Sequence, residues 1–164
     1  MRRRSFISVP ALSALLTATA WWARPAWAHH GWSSFDQGRP LYLEGTAKKV
    51  VWRNPHAELM LELPAAGLKL PPDLATRALP AQSAPVDGPA LLKVAQVPTR
   101  KDRLWEIELA PLSRMQAWQV PEIKVGDTLQ LLGFTFTAEQ GAPVMRAEFL
   151  FVGGKAYGLR SGPA

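Results

Sequence analysis

Three histidines carry the metal chemistry that this sequence can support. His29 and His30 directly follow Ala26-Trp27-Ala28, a small-residue pattern typical of export-signal cleavage sites. Cleavage at that point would give a chain that begins with a histidine, whose α-amine lies beside one or two imidazoles. The third histidine, His56, follows Asn54-Pro55 in a predicted turn. Amine and imidazole nitrogens are ligands that copper(II) favours, so the pattern indicates a copper site.

Two copper arrangements fit these residues. In the first, His29 supplies its amine and its imidazole to one chelate, and His56 completes a T-shaped histidine brace. In the second, the amine, the intervening amide and His30 bind the metal, as at an Xaa-His peptide terminus. Trp52 and Asn54 lie close to the third histidine in the sequence, and we expect them to shape the site. The alternative is a frayed terminus and a turn histidine that bonds to backbone.

Residues 1–28 contain the three parts of an export signal. The basic start Arg2-Arg3-Arg4 precedes an apolar stretch from Val9 to Trp22, and the cleavage pattern follows. The apolar stretch is too short for a spanning helix. Arg3-Arg4-Ser5-Phe6-Ile7 also resembles a twin-arginine core, so the ordinary and the twin-arginine routes both stay open. We therefore expect a periplasmic or secreted protein, cleaved from its signal and not integral to a membrane.

Charge and cysteine content exclude several classes of function. The 164 residues include 19 Lys and Arg against 13 Asp and Glu, but four of the basic residues and none of the acidic ones lie in 1–28. Residues 29–164 therefore carry a net charge of +2, too little for the basic stripe that nucleic-acid binding needs. The sequence has no cysteine, which excludes disulfides, thiolate metal sites and cysteine nucleophiles.

Alternating apolar and polar residues predict a series of short strands. In residues 57–63, three leucines alternate with two glutamates and a methionine, and residues 104–109 show the same period of two. Pro111 suits the start of a short helix, and Gly153-Gly154 suits a tight turn. The predicted strands are 41–52, with Gly45 as a bulge, then 57–63, 104–109, 128–136, 144–152 and 155–159.

This order of elements predicts a mainly β fold. A small OB-like five-stranded barrel with one short helix has this order of elements: two strands, an insert, a strand, a helix and further strands. A small β-sandwich is the alternative, because strand pairing cannot be derived from one sequence. Residues 29–164 are expected to form a single domain. Residues 64–103 hold seven of the 15 prolines and predict a loosely ordered insert, with an apolar patch at Leu91–Val97.

Several short motifs resemble those of one known family. It is a family of small exported bacterial proteins, catalogued only as a domain of unknown function (6152 type). The resemblance covers residues 29–63 and 104–164, and it implies a periplasmic β protein with a shared set of histidines. It implies no activity, and the insert departs from the shorter versions. The motifs are His29-His30, Trp52-Arg53-Asn54-Pro55-His56, Val125-Gly126-Asp127 and Met145-Arg146-Ala147-Glu148.

We expect this protein to bind rather than to catalyse. The first hypothesis is an exported periplasmic binding protein that holds copper through His29 and His56, with His30 as an auxiliary ligand. The alternative is a non-metal ligand-binding or protein-assembly module, in which the insert contacts an unknown periplasmic partner or a small ligand. An oxidative copper enzyme is a third hypothesis. It would need an open coordination position beside a substrate surface, which no motif indicates.

Overall fold

A computed structural model describes residues 31–164 of the chain. The predicted signal at 1–28, together with His29 and His30, lies outside the described residues. Within residues 31–164, no helix is long and apolar enough to cross a membrane. This part of the chain begins with an arm, residues 31–40. The elements that follow are β1 (Leu41–Val51), β2 (Glu58–Glu62), α1 (Gly88–Val94), β3 (Leu104–Glu108), α2 (Leu112–Ala117), β4 (Thr128–Phe134), β5 (Val144–Val152) and β6 (Lys155–Gly158).

Five of these strands close into a barrel. β1 pairs antiparallel with both β2 and β4, while β2 pairs antiparallel with β3, and β4 with β5. A parallel pairing of β3 with β5 closes the ring. The order around the barrel is thus β1-β2-β3-β5-β4, and β6 extends the sheet beyond β5. The predicted OB-like barrel is confirmed, and the sandwich alternative is wrong.

The barrel interior holds the apolar side chains that alternate along the strands. Leu59 and Leu61 of β2 point inward and are buried. Trp105 of β3 is fully buried, and its indole Nε1 donates to the carbonyl of Asp102 at 3.0 Å. Met115 of α2 joins the same cluster. Each strand therefore contributes one apolar face, which is why the predicted alternation leads to closure around a single core.

The insert at 64–103 packs against the barrel, so the prediction of loose order is wrong. Its helix α1 begins after Asp87, whose carboxylate accepts a hydrogen bond from the Ala90 amide at 3.0 Å. Leu74 and Leu92 of the insert are 2% and 3% exposed. The insert thus covers an outer face of the barrel with a second apolar cluster. The barrel side chains in that cluster are Tyr42, Leu132 and Phe149.

Two glycine predictions have opposite outcomes. Gly45 does not form the predicted bulge, because the register of β1 against β2 shifts between Ala47 and Lys49 instead. Glycine is nonetheless required there, since a Cβ at residue 45 would overlap the carbonyl oxygen of Glu62. The predicted Gly153-Gly154 turn is confirmed, with φ values of 59° and 74° that suit glycine.

Segments distant in sequence meet beside β5. The fully buried carboxylate of Glu148 accepts hydrogen bonds from Arg160 Nε at 2.7 Å and from Gln82 Nε2 at 3.1 Å. The Oε1 of Gln82 accepts in turn from the amides of Arg160 and Ser161, at 3.0 and 3.1 Å. Arg160 also donates to Gln37 of the arm at 2.8 Å. We call the cluster of Gln37, Gln82, Glu148 and Arg160 the junction.

Candidate functional site

His56 lies in the connection between β1 and β2. The preceding Asn54-Pro55 bond is cis. The Ala57 amide donates to the Ala110 carbonyl at 3.0 Å, and the Leu109 amide donates to the Ala57 carbonyl at 2.9 Å. These two bonds extend the pairing of β2 with β3 by one residue. They fix the half-buried His56 at the end of the ladder, next to the residues that follow β3.

A row of charged residues runs across the outer face of β2, β3 and β5. Glu58 is the antiparallel partner of Glu108, and Glu108 is the parallel partner of Arg146. His56 lies two residues before Glu58, and both are half-buried, whereas the intervening Ala57 is fully buried. We call the set of His56, Glu58, Glu108 and Arg146 the charged row.

The centre of the charged row is shielded from water. Arg146 Nη1 donates to Glu108 Oε2 at 3.1 Å, and the two side chains are only 12% and 7% exposed. Their pairing offsets the loss of hydration that burial imposes on each charge. Glu58 adds a second carboxylate to the row. With neutral His56 the row therefore has a net negative charge, which favours a cation nearby.

The arm reaches the charged row through Trp32. The ring centroid of Trp32 lies 4.7 Å from Cζ of Arg146 and 3.8 Å from Cζ of Arg160. Contacts between a guanidinium group and an aromatic face are attractive. Further along the arm, Phe35 stacks on Phe136 with centroids 5.2 Å apart. The arm is therefore anchored where the charged row ends at β5.

The structure describes three of the five predicted site residues. His56 is half-buried, Trp52 is half-buried and packs against the barrel core, and Asn54 is exposed. His29 and His30 precede the first described residue. Within residues 31–164, no three His, Asp or Glu side chains form a group that could hold a metal ion. Two of the three predicted ligands lie outside that range, so the metal site stays a prediction.

Most of the surroundings of His56 carry no signal in the sequence. Glu108 and Arg146 meet because β3 and β5 pair in parallel, which no local pattern indicates. Trp32 joins them only because the arm folds back along the barrel. The alternation in residues 104–109 does mark the glutamates as outward-facing, but it cannot identify their partners. The exception is Glu58, which lies only two residues after His56 in the sequence.

The buried carboxylate of the junction has a structural role. Burial raises the pKa of Glu148 above its usual value, although the ion pair with Arg160, at 2.7 Å, acts in the opposite direction. Its hydrogen bonds to Arg160 and Gln82 hold the insert against the residues that follow β6. The junction therefore stabilises the arrangement of the chain, and the candidate site is the charged row with the arm beside it.

The family comparison concerns the N-terminal part of the chain, which contains the arm, His56 and Glu58 but not Glu108 or Arg146. Residues 18–69 match the model of a family described as a family of unknown function (DUF6152). The match includes the arm, β1, the turn with His56 and β2, and it confirms the resemblance over residues 29–63, whereas the part of the resemblance at 104–164 lies outside the match. No curated protein and no solved structure matches the chain. The function must therefore be argued from the geometry of the site.

Proposed function

We propose that this is an exported periplasmic protein that binds copper through its mature N-terminus and His56. In this proposal the signal at 1–28 is removed, and His29 supplies both its α-amine and its imidazole to the metal. His30 is an auxiliary ligand. Trp52 walls the site on one side, and Asn54 shapes the turn beneath it.

The contact of Trp32 with Arg146 is the observation that carries the proposal. Arg146, Glu108 and Glu58 are successive partners on three adjacent strands, so the row spans two strand spacings, about 10 Å. Three extended residues also span about 10 Å. His56 lies two residues, about 7 Å, from Glu58 along the chain, and so about 12 Å from Arg146. His29 lies three residues, about 10 Å, before Trp32, and the imidazole side chains of the two histidines cover the remaining distance.

The residues available suit copper(II). Amine and imidazole nitrogens are ligands that this ion favours in a tetragonal plane. The α-amine has a reference pKa of about 8, and a bound metal displaces its proton. The net negative charge of the charged row lowers the energy of a cation beside it. When bound, copper would supply a redox-active centre, while His56 and the arm bind and orient it.

The proposal is tested by titrating copper(II) into the exported protein and recording paramagnetic resonance spectra. Mass spectrometry of the same protein should place its first residue at His29. We expect one tight site with nitrogen ligands, lost in a version extended by one N-terminal residue and weakened to the level of a free peptide by His56→Ala. His30→Ala removes only the auxiliary ligand and should weaken binding far less than His56→Ala, because it keeps a histidine brace and removes a peptide-type chelate.

Two results would overturn this proposal. Binding no tighter than that of a peptide with the same first residues would exclude a site built with the barrel. Tight binding that is lost in His30→Ala and unaffected by His56→Ala would assign the metal to the terminus alone. The first outcome would leave the non-metal binding module as the hypothesis for this protein, and the second would leave a copper site made by the terminus without the barrel.

A further inference from the structure

A groove of about 380 Å³ lies between the two ends of the insert. Small-ligand sites in proteins have volumes of about 300–1,000 Å³, so this volume suits a small ligand. One wall is formed by residues 63–68, which follow β2, and the other by residues 97–103, which lead into β3. The groove shares no residue with the charged row or the junction, so its function is independent of the proposed copper site.

Hydrogen bonds hold both walls of the groove in place. The Leu63 amide donates to the Arg103 carbonyl at 2.7 Å, where the two walls meet. The buried carboxylate of Glu139 accepts hydrogen bonds from the amides of Thr99 and Arg100, each at 3.0 Å. The walls are therefore fixed by contacts within the protein, and a ligand would not have to order them on binding.

Apolar side chains from both walls line the groove. Leu63 is 7% exposed, and Leu68 is half-buried and packs against the barrel core. On the facing wall, Val97 and Pro98 are half-buried. Half-buried apolar side chains keep surface that a ligand can remove from water. The groove can therefore bind the apolar part of a ligand.

One of the three cations that line the groove is already neutralised. Arg100 Nε donates to the Asp102 carboxylate at 2.6 Å. The other two nitrogens of this guanidinium donate to the carbonyls of Glu139 and Gly141, at 2.9 and 3.1 Å. Asp102 is the only acidic residue among those that line the groove. Its pairing with Arg100 leaves it unable to neutralise the other two cations, Lys101 and Arg103.

Lys101 and Arg103 give the groove an excess of positive charge. Lys101 is exposed, and within residues 31–164 it forms no ion pair. Arg103 is 54% exposed and reaches Glu62 at 3.5 Å, but Glu62 lies closer to Lys48, at 2.8 Å. One carboxylate therefore faces two cations at this end of β2. Lys101 and Arg103 are two residues apart, so their Cα atoms lie within about 7 Å of each other, and one anionic group can contact both side chains.

We propose that this groove binds a small carboxylic acid with an apolar chain. The carboxylate would lie between Lys101 and Arg103, which can both donate charge-assisted hydrogen bonds to it. The chain would lie on Leu63, Leu68 and Val97. The excess positive charge favours an anion over a neutral or cationic ligand of the same shape, and the apolar lining favours a chain over a bare anion.

The test is a nuclear magnetic resonance titration of the ¹⁵N-labelled, metal-free exported protein with octanoate. The comparison ligands are octanamide, which lacks the charge, octylammonium, which reverses it, and acetate, which lacks the chain. We expect octanoate to shift the amides of residues 63–68 and 97–103. Because exposed ion pairs are weak, octanamide should bind roughly two- to five-fold more weakly. Acetate should bind at least about ten-fold more weakly, since burial of two methylene groups already accounts for that factor.

Two variants test the role of the cations. Lys101→Gln and Arg103→Gln should each weaken binding of octanoate by roughly two- to five-fold and leave binding of octanamide unaffected. Arg103→Lys keeps the charge and should retain most of the affinity. Lys124→Gln and Lys155→Gln are matched controls, since both residues are exposed and lie outside the groove. The spectrum of each variant also shows whether its fold is unchanged.

Several results would overturn this assignment. Equal affinity for octanoate, octanamide and octylammonium would show that the groove recognises the chain alone. Acetate binding as tight as that of octanoate would show a simple anion site. An absence of shifts in residues 63–68 and 97–103 would show that the acid does not bind in the groove.

Discussion

Leu92→Ala tests whether the insert is part of the folded core. Leu92 lies on α1, is 3% exposed and packs in the cluster with Leu74, Tyr42 and Phe149. Replacing a buried leucine by alanine costs about 2–5 kcal/mol, depending on how far the neighbours relax. The cluster lies outside the barrel, and half-buried Leu79 can shift towards the space that is left. We therefore expect a loss of about 3 kcal/mol in the free energy of unfolding.

The loss should appear as a lower melting temperature. The entropy of unfolding is about 2.1 cal/mol/K per residue near 60 °C, which gives about 0.28 kcal/mol/K for the roughly 130 residues described. A loss of 3 kcal/mol then corresponds to a fall of about 10 °C. Scanning calorimetry measures this shift, and urea unfolding followed by circular dichroism measures the free energy separately.

Val94→Ala is the matched control on the same helix. Val94 is 56% exposed, so its replacement removes little buried surface and should change stability by no more than about 0.5 kcal/mol. Equal, small effects of the two substitutions would refute the packing of the insert. They would instead support the loosely ordered segment that its proline content predicts.

Two further predictions concern charge and close packing. Burial raises the pKa of Glu148 in the folded protein, so the native state keeps a proton that the unfolded chain releases near the usual value of 4.5. The contribution of this residue to stability therefore falls as pH rises through the folded pKa. Glu148→Gln removes this dependence on pH. In urea unfolding at a series of pH values, the variant should gain stability relative to the wild type as pH rises above 4.5. A difference in stability that is constant with pH would contradict this prediction. Gly45→Ala should cost more than about 2 kcal/mol in thermal unfolding, because its Cβ would overlap the Glu62 carbonyl, and a loss below about 0.5 kcal/mol would show that β1 and β2 can separate there.

The barrel could be predicted because its signals are local. Inward and outward residues alternate over five to nine positions in most of the strands, and turn residues such as Gly153-Gly154 separate them. The position of the short helix between the third and fourth strands then selects an OB-like order over other small β folds. Only the parallel pairing of β3 with β5 could not be predicted from the sequence, and this pairing excludes the sandwich.

The insert was predicted less well because its stability comes from outside it. Seven prolines and many small residues indicate a chain that cannot form its own core, which is correct for residues 64–103 alone. The barrel supplies the missing apolar surface through Phe149 and its neighbours. One local signal was present: Asp87 followed by Gly88-Pro89 is a typical helix start, with a capping carboxylate and a proline in the first turn.

The candidate site was also predictable only in part. His56 stands out in the sequence because histidine is rare in this chain, and Glu58 lies only two residues after it. The rest of the charged row depends on pairing between β3 and β5, and Arg146 is 38 residues from its partner Glu108. Such pairings are set by the closure of the barrel, which follows from the combined pattern of all its strands.

The junction sets an order of events for a growing chain. Gln82 is held by backbone amides that follow it by 78 and 79 residues, and the Ser83 amide donates to the Gly162 carbonyl at 2.9 Å. A nascent chain therefore cannot complete the contacts of Gln82 and Ser83 until residues 160–162 have been synthesised. It cannot close the barrel before β5 has been synthesised. Contacts at this separation form slowly. Chains that end before residue 160 consequently lack the contacts that hold the insert to the end of the chain.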